Sequence, residues 1–325
     1  MQSTISSILS EEDGCMLSYI LRRLSHTVLV IIAVSLIIFF SIRLTGDPVS
    51  IMFGAGEPSQ QAIDELTAKL GLDKPVWEQY FIFMKDLLML DFGTSYRSNS
   101  PVLDLLLERA WPTIALALGG MSVALTIAVP IGILSAVNKG KPVDIFGRIF
   151  SLLGISFPNF WLAFMLILIF AVKLKWLPVS GFDSFSSLIL PSIALGLILS
   201  GILVRLIRTS MLDVLKMQYV TTARAKGIRE WLVIVRHAFR NALLPTVTFV
   251  GLQFGGLLGG AVIVEQVFSW PGIGRLIVDS INQRDYPVVQ GGIIILALLM
   301  IIVNLIVDLC YSLINPKIRT GRGDN

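Results

Sequence analysis

Two histidines and two cysteines are all that this chain of 325 residues contains of either type, and the scarcity removes several kinds of chemistry at once. His26 and His237 are too few to build a metal site and read as interfacial polar residues. Cys15 and Cys310 sit at opposite ends of the chain and imply no disulfide framework. Charge is thin too, at 15% of residues, and the acids fall mainly in one segment. That leaves no paired buried carboxylates, Ser/His/Asp arrangement or cysteine nucleophile from which to argue an enzyme. A phosphate-cradling loop is also missing: "NKGKP" at 138–142 has a Gly-Lys pair but neither the upstream glycine at the right spacing nor the following Ser or Thr. No cofactor and no resident metal are expected, and if ATP drives this protein a partner must bind it.

What the chain does have is apolar length. With 54% hydrophobic residues and a positive mean hydropathy, it reads as a polytopic membrane protein. Six runs approach the roughly 20 residues that a helix needs to cross a bilayer core. They are 26–42, which extends to 44 if Arg43 snorkels to the interface, then 111–137, 149–172, 188–207, 243–264 and 288–313. Pro112 and Pro130 in the second, Pro158 in the third and Pro191 in the fourth predict kinks or irregular starts, which membrane helices tolerate when neighbours re-satisfy the freed carbonyls. The expected fold is all-α with six transmembrane helices.

Basic segments stay on the cytoplasmic side, and the bases cluster in alternate segments: Arg22 and Arg23; Lys139, Lys141 and Arg148; Arg205 through Arg240; and Lys317, Arg319 and Arg322. In 45–110 the acids outnumber the bases. Both termini are therefore expected in the cytoplasm, and the net charge of +4 reflects this sidedness and gives no reason to invoke nucleic acid. The expected layout is a cytoplasmic lead over 1–25, a first span over 26–44 and an external region with short helices over 45–110. A core over 111–313 follows, carrying a cytoplasmic loop over 209–242, and a cytoplasmic tail closes the chain over 314–325. The first span doubles as an uncleaved insertion signal. Met16 opens "MLSYILRRL", a more natural start for an inside-positive anchor, so 1–15 is expected to be a disordered lead or an upstream extension. In the external region, Pro58 or Ser59 starts one short helix, Gly71 ends it, and Pro75 begins a second; its acidity suits either the reception of a soluble partner or an ordinary solvated cap.

The loop "YVTTARAKGIREWLVIVRHAFRNALLP", 219–245, is basic and helix-prone. Residues 218–227 favour a short helix that Gly227 can end in the left-handed conformation. Residues 229–242 read as a second helix with Leu232, Val235, Phe239 and Ala242 on one face, and Pro245 is expected to break it. The result is an elbow with Ala223, Ala225 and Gly227 near its tip, which suits either anionic lipid or a groove on another protein. Elsewhere, Gly251, Gly255 and Gly259 recur at four-residue spacing, and this smooth stripe serves internal helix packing or a subunit interface. "FSWPGIG", 268–274, suits an ordered external turn. Asn304 and Asp308 share a face of the last span; Asp308 is an intramembrane acid, and Arg205 is a candidate partner for it.

The elbow resembles the EAA loop of binding-protein-dependent ABC importer permeases, a pattern of Glu-Ala-Ala, three residues, Gly, and later a Leu-Pro that opens the next span. Thr221, Thr222 and Ala223 occupy the first three places, Gly227 the glycine, and Leu244 and Pro245 the ending, with threonine where the pattern has Glu and its first Ala. "TARAKG" followed by "RNALLP" is typical of the peptide and nickel branch. The resemblance runs on through "GDP" (46–48), "LGLDKPVWEQY" (70–80), "DFGTS" (91–95), "FPNFWLA" (157–163), "SMLDVL" (210–215), "FSWPGIGRL" (268–276), "RDYPVVQG" (284–291) and "NLIVDLCYSLINPKIR" (304–319).

It implies the type I, MetI-like permease fold in the inner membrane, working as half of a translocation pathway for peptides, nickel or metal chelates. The implied partners are a homologous second permease, two cytoplasmic ATP-binding subunits, an external substrate-binding protein and membrane lipid. Thr221, Thr222, Ala223, Arg224, Ala225, Lys226 and Gly227 would form the ATPase-coupling segment. The short loop at 173–187 tilts the substrate toward the metal side. An ion-gradient-driven transporter or channel is the rival, but such proteins use ionisable groups deep in the bundle and internal repeats, neither of which is evident.

Overall fold

A computed structural model of the chain describes residues 25, 27–41, 43, 60, 61, 64, 67, 73–182 and 184–314, apart from the side chains of 244 and 308–314. The 1–15 lead, most of the first external helix and the tail after 314 lie outside the described residues. Among those described, the architecture is helical, with one isolated bridge between Thr94 and Pro101. In chain order the helices are α1 (Thr27–Ser41), α2 (Val76–Leu88), α3 (Val102–Val137), α4 (Pro142–Ser156) and α5 (Asn159–Leu166). The π-helical turns Ile167–Lys173 continue α5. Then come α6 (Phe185–Val214), α7 (Gln218–Ala225), α8 (Glu230–Leu232) with its π-helical continuation Val233–Phe239, α9 (Arg240–Val267), α10 (Ile273–Gln283) and α11 (Tyr286–Ile314).

Among the described residues, four helical stretches are long and apolar enough to cross a membrane: Val102–Val137, Phe185–Val214, Pro245–Val267 and Tyr286–Val307. They contain most or all of the second, fourth, fifth and sixth expected spans. The third is not one continuous helix, since α4 and α5 meet at a 105° bend beside Pro158, where a kink is expected. The cause is local. Pro158 disfavours a helical conformation in the residue before it, and both Phe157 (φ −90°, ψ 133°) and Pro158 (φ −64°, ψ 141°) are extended, which turns a corner. The first expected span appears as the shorter apolar helix α1. Pro112, Pro130 and Pro191 lie inside continuous helices. Pro245 does too, contrary to expectation. A proline costs its helix one hydrogen bond and some crowding, and burial of Ala242 and Thr246 on either side holds α9 together across it.

The chain divides into two compact units. In one, residues 111–275 with 303–311, α6 is the central element, and Leu203, Val204, Ile207 and Met211 along it are buried. Gly201 lets α4 pass at backbone distance: a Cβ there would lie 3.0 Å from Ser151 O and 3.2 Å from Gly154 Cα, and Ser151 Oγ donates to Gly201 O at 2.6 Å. In the other unit, residues 1–110 with 276–302 and 312–325, a core forms from Ile38, Leu87, Tyr286, Val289 and Ile294.

Candidate functional site

The elbow begins where α6 ends. Leu215 is its C-cap, Met217 is extended, and α7 starts at Gln218. Two of α7's eight residues, Val220 and Ala223, are buried and anchor it. Thr221, Thr222, Arg224, Ala225, Lys226 and Gly227 are all exposed. The helix ends as expected at Gly227, whose φ of +74° is a left-handed conformation that glycine adopts at no steric cost. Ile228 N donates to Ala223 O at 3.4 Å and Gly227 N to Arg224 O at 2.9 Å, the hydrogen-bond pair of a Schellman ending. A Cβ on Gly227 would meet nothing within 4 Å, so the tip is open for another surface to approach.

Two clamps hold the elbow's shape. Arg224 grips Glu230 as a fork, with Nη2 donating to Oε1 at 2.7 Å and Nε to Oε2 at 3.1 Å. Donation from Arg224 holds the Glu230 carboxyl below its ordinary value, while partial burial opposes it. The cations Lys226 and Arg229 flank that pair. Asn241 Nδ2 donates to Tyr219 Oη at 2.7 Å and to His237 O at 3.2 Å, fastening α7 to the start of α9.

The second arm differs from the α-helical expectation. Its buried positions are Val233, Ala238 and Ala242, spaced five and four apart, because Val233–Phe239 is π-helical and bonds i to i+5. The wider turns rotate Val235 outward, where it joins Trp231, Met217 and Tyr219 as exposed apolar groups. The elbow is thus a convex knob, apolar and basic, around a flat tip.

The other expected residues separate. Gly251 packs on Val307 and Gly255 on Asn304, a Cβ at 255 lying 2.5 Å from Asn304 Oδ1, so these two serve packing between α9 and α11. Gly259 is exposed and lies outside that seam. Arg205 is exposed, and Asp308's side chain falls outside the described residues. Among those described, no three His, Cys, Asp or Glu converge.

Three constellations escaped sequence reasoning. Asp144, at the start of α4, is 2% exposed and takes Arg208 of α6 as a fork, Nε to Oδ1 at 2.5 Å and Nη2 to Oδ2 at 3.0 Å. Gly140 N adds a third donor at 2.9 Å. The available signal was a lone acid within a basic loop. Glu265, near the end of α9, is fully buried. Thr113 Oγ1 donates to its Oε1 at 2.7 Å, Arg275 N donates to Oε2 at 3.0 Å, and Ile273 N donates to Thr113 Oγ1 at 2.9 Å. A carboxylate from α9 therefore caps the N-terminus of α10, and "FSWPGIG" is the ordered turn between, with Trp270 Nε1 donating to Pro112 O at 2.9 Å. Finally, "DFGTS" and "RDYP" meet: Asp285 accepts from Ser95 Oγ at 2.5 Å and from Tyr96 N at 3.1 Å.

Comparison with known proteins adds to this geometry. Residues 128–320 match the family described as binding-protein-dependent transport system inner membrane component, and 16–117 match the family for the N-terminal part of such components. The glutathione transport system permease protein GsiC of Escherichia coli K12 is 42% identical over 305 residues, covering 94% of this chain and 99% of the relative. The protein of that name from Salmonella typhimurium is 43% identical over the same shares. Among solved structures, one of the MetNI methionine ABC transporter aligns over 65% of this chain and 96% of that chain, with a TM-score of 0.53 at 17% identity, a likeness of fold alone.

Proposed function

We propose, starting from the fact that the chain belongs to the binding-protein-dependent transport system inner membrane component family, that it carries glutathione or similar short peptides. It is a multi-pass permease subunit of an ABC importer and performs no catalysis itself. Its apolar spans suit a path for solute, and the energy comes from elsewhere. The elbow around 221–227 is the coupling segment, seated in a groove of an ATP-binding subunit. Closure of an ATPase pair moves it as a rigid body and switches the spans between two states. The partners are a homologous permease, two ATPases and an external binding protein; both termini and 209–242 lie in the cytoplasm, in keeping with the basic segments.

The observation that carries the coupling role is the exposed Schellman tip at Gly227, open around its Cα and flanked by cations and outward aromatic groups. Such a tip fits closely into a groove, whereas an acid there would meet a wall. Gly227→Glu is expected to abolish uptake while the protein still inserts and assembles; normal transport by that variant would sink the assignment.

The substrate reading rests on relatives named as glutathione permeases. A metal or metal-chelate cargo is the second reading, favoured by the short connection before α6. Accumulation of labelled glutathione and of nickel, in cells with the gene deleted and then restored, separates them. Loss and recovery of glutathione uptake alone is the expected result, and a change confined to nickel overturns it.

A further inference from the structure

The helix α2 carries more apolar surface than its neighbours cover. Turned at 100° per residue, its sequence divides cleanly. Lys85, Glu78, Asp86 and Gln79 occupy one side, interrupted only by Ile82, and the large apolar residues fill an arc of about 160° opposite. Half of that arc packs inward: Tyr80 and Phe83 meet the Phe39 ring at 5.2 and 5.7 Å, and Met84 and Leu87 join the buried cluster. The other half stays open. Trp77, Phe81 and Leu88 are 64%, 67% and 82% exposed, and they fall on one strip at spacings of four and seven.

The depth of this strip follows from what α2 touches. Arg43, just past α1, stacks its guanidinium 3.4 Å above the Phe39 ring and donates from Nε to Gln79 Oε1 at 3.1 Å, so the polar side of α2 lies at the level of a snorkelling arginine. Ser35 lies eight residues back, about 12 Å along the helix, at the middle of α1. Its hydroxyl meets Tyr80 Oη at 2.9 Å and Met84 Sδ at 3.4 Å. The same hydroxyl donates to Ile32 O at 2.8 Å within α1, so Tyr80 and Met84 meet α1 at a group already bonded to its own helix. Thus α2 crosses α1 between the arginine and the helix centre, well inside the apolar stretch. The outward residues of α1, Leu29 and Ile37, are exposed like the strip and form one apolar surface type with it.

We propose that α2 is a membrane-seated helix, lying in the leaflet that Arg43 borders, with Trp77, Phe81 and Leu88 against acyl chains. At 13 residues it is too short to span. It has the form of an interfacial helix, with its charges on one side, its apolar face sunk about 5–10 Å and a tryptophan near the polar boundary. The stretch 76–88 of the region between the first two spans is therefore anchored and is not a free solvated cap, and this strip is unavailable to a soluble binding protein.

The test uses the full chain with its partner subunits in phosphatidylethanolamine and phosphatidylglycerol bilayers. Cys15 and Cys310 are changed to Ser, and one spin label is attached at Phe81→Cys or, on the polar side, at Asp86→Cys. Collision with oxygen, which concentrates in acyl chains, is compared with collision with a water-soluble nickel chelate. The expected result is an oxygen-to-chelate ratio at 81 about tenfold above that at 86, because a polar chelate is excluded from hydrocarbon. Equal ratios would mean the strip faces water. Exclusion of both reagents at 81 would mean a protein surface covers it. Either outcome overturns the proposal.

Discussion

Replacing Glu265 with glutamine changes one buried oxygen into an amide and nothing else in size. Both carboxylate oxygens accept, Oε1 from the Thr113 hydroxyl and Oε2 from Arg275 N, and the same hydroxyl accepts from Ile273 N. Glutamine offers one acceptor oxygen and an NH2 with two donors: an NH2 facing Arg275 N sets donor against donor, and one facing Thr113 can be accepted beside Ile273 N but leaves the Thr113 O–H without its acceptor. The close fit allows no escape, since a Cβ on Gly274 would lie 2.8 Å from Oε2. Stranding one buried donor costs about 1–3 kcal/mol. Because the loss is confined to the cap, local opening of the turn and the first turn of α10 becomes about 5- to 150-fold more frequent. Hydrogen exchange read by mass spectrometry on peptides covering 271–278 measures this directly. Unchanged exchange there would refute the argument, and so would a rise of equal size throughout the chain, which would mean that the carboxylate stabilises the whole and not the cap.

Other substitutions test the packing. Gly251→Ala drives its methyl into the stiff, β-branched Val307, whereas Gly255→Ala meets the far end of Asn304, which can rotate. The first is expected to cost about 1–3 kcal/mol and the second clearly less, and thermal unfolding in detergent ranks them; the reverse order would be a contradiction. Gly201→Leu meets the backbone of α4 at Ser151 O and Gly154 Cα, where nothing can yield, so it should lower assembled protein more than Gly227→Ala, which enters open space at a strain of about 1–2 kcal/mol. The Arg224–Glu230 fork has a pH signature. Because Glu230 titrates below its ordinary 4.5, the fork's contribution is fully present above that value and is lost as pH falls through the depressed folded value. The pair is exposed and worth about 0.2–1 kcal/mol. Spin-label mobility at the elbow between pH 6 and pH 3 should rise in the wild type and stay level in Glu230→Gln.

The apolar runs were legible because hydrocarbon leaves a chain few choices, so length and composition locate four of the spans. Prolines were not legible one by one. Pro112, Pro130, Pro191 and Pro245 lie inside continuous helices while Pro158 turns a corner, and the difference lies in packing around each site, which no local rule contains. In the elbow, Gly227 was readable from its backbone requirement alone. The face of the following arm was not, since an α period fits 232, 235, 239 and 242 while a π stretch buries 233, 238 and 242. Long-range partners were hidden in the same way. Asp285 and Ser95 stood out in recognisable blocks, and Asp144 and Arg208 stood in basic loops, but nothing local says that residues 190 or 64 positions apart will meet.

One helix joins the two places that matter most. α9 starts at Arg240, in the elbow, and reaches Glu265 near its far end. Its 28 residues make a rod of about 42 Å. Treated as a lever pivoting near one end, it turns a tilt of about 5° into a displacement of about 4 Å at the other. If a partner grips the elbow, as proposed, a slight rocking there is enough, and the carboxylate cap carries that stroke into the turn at 268–275.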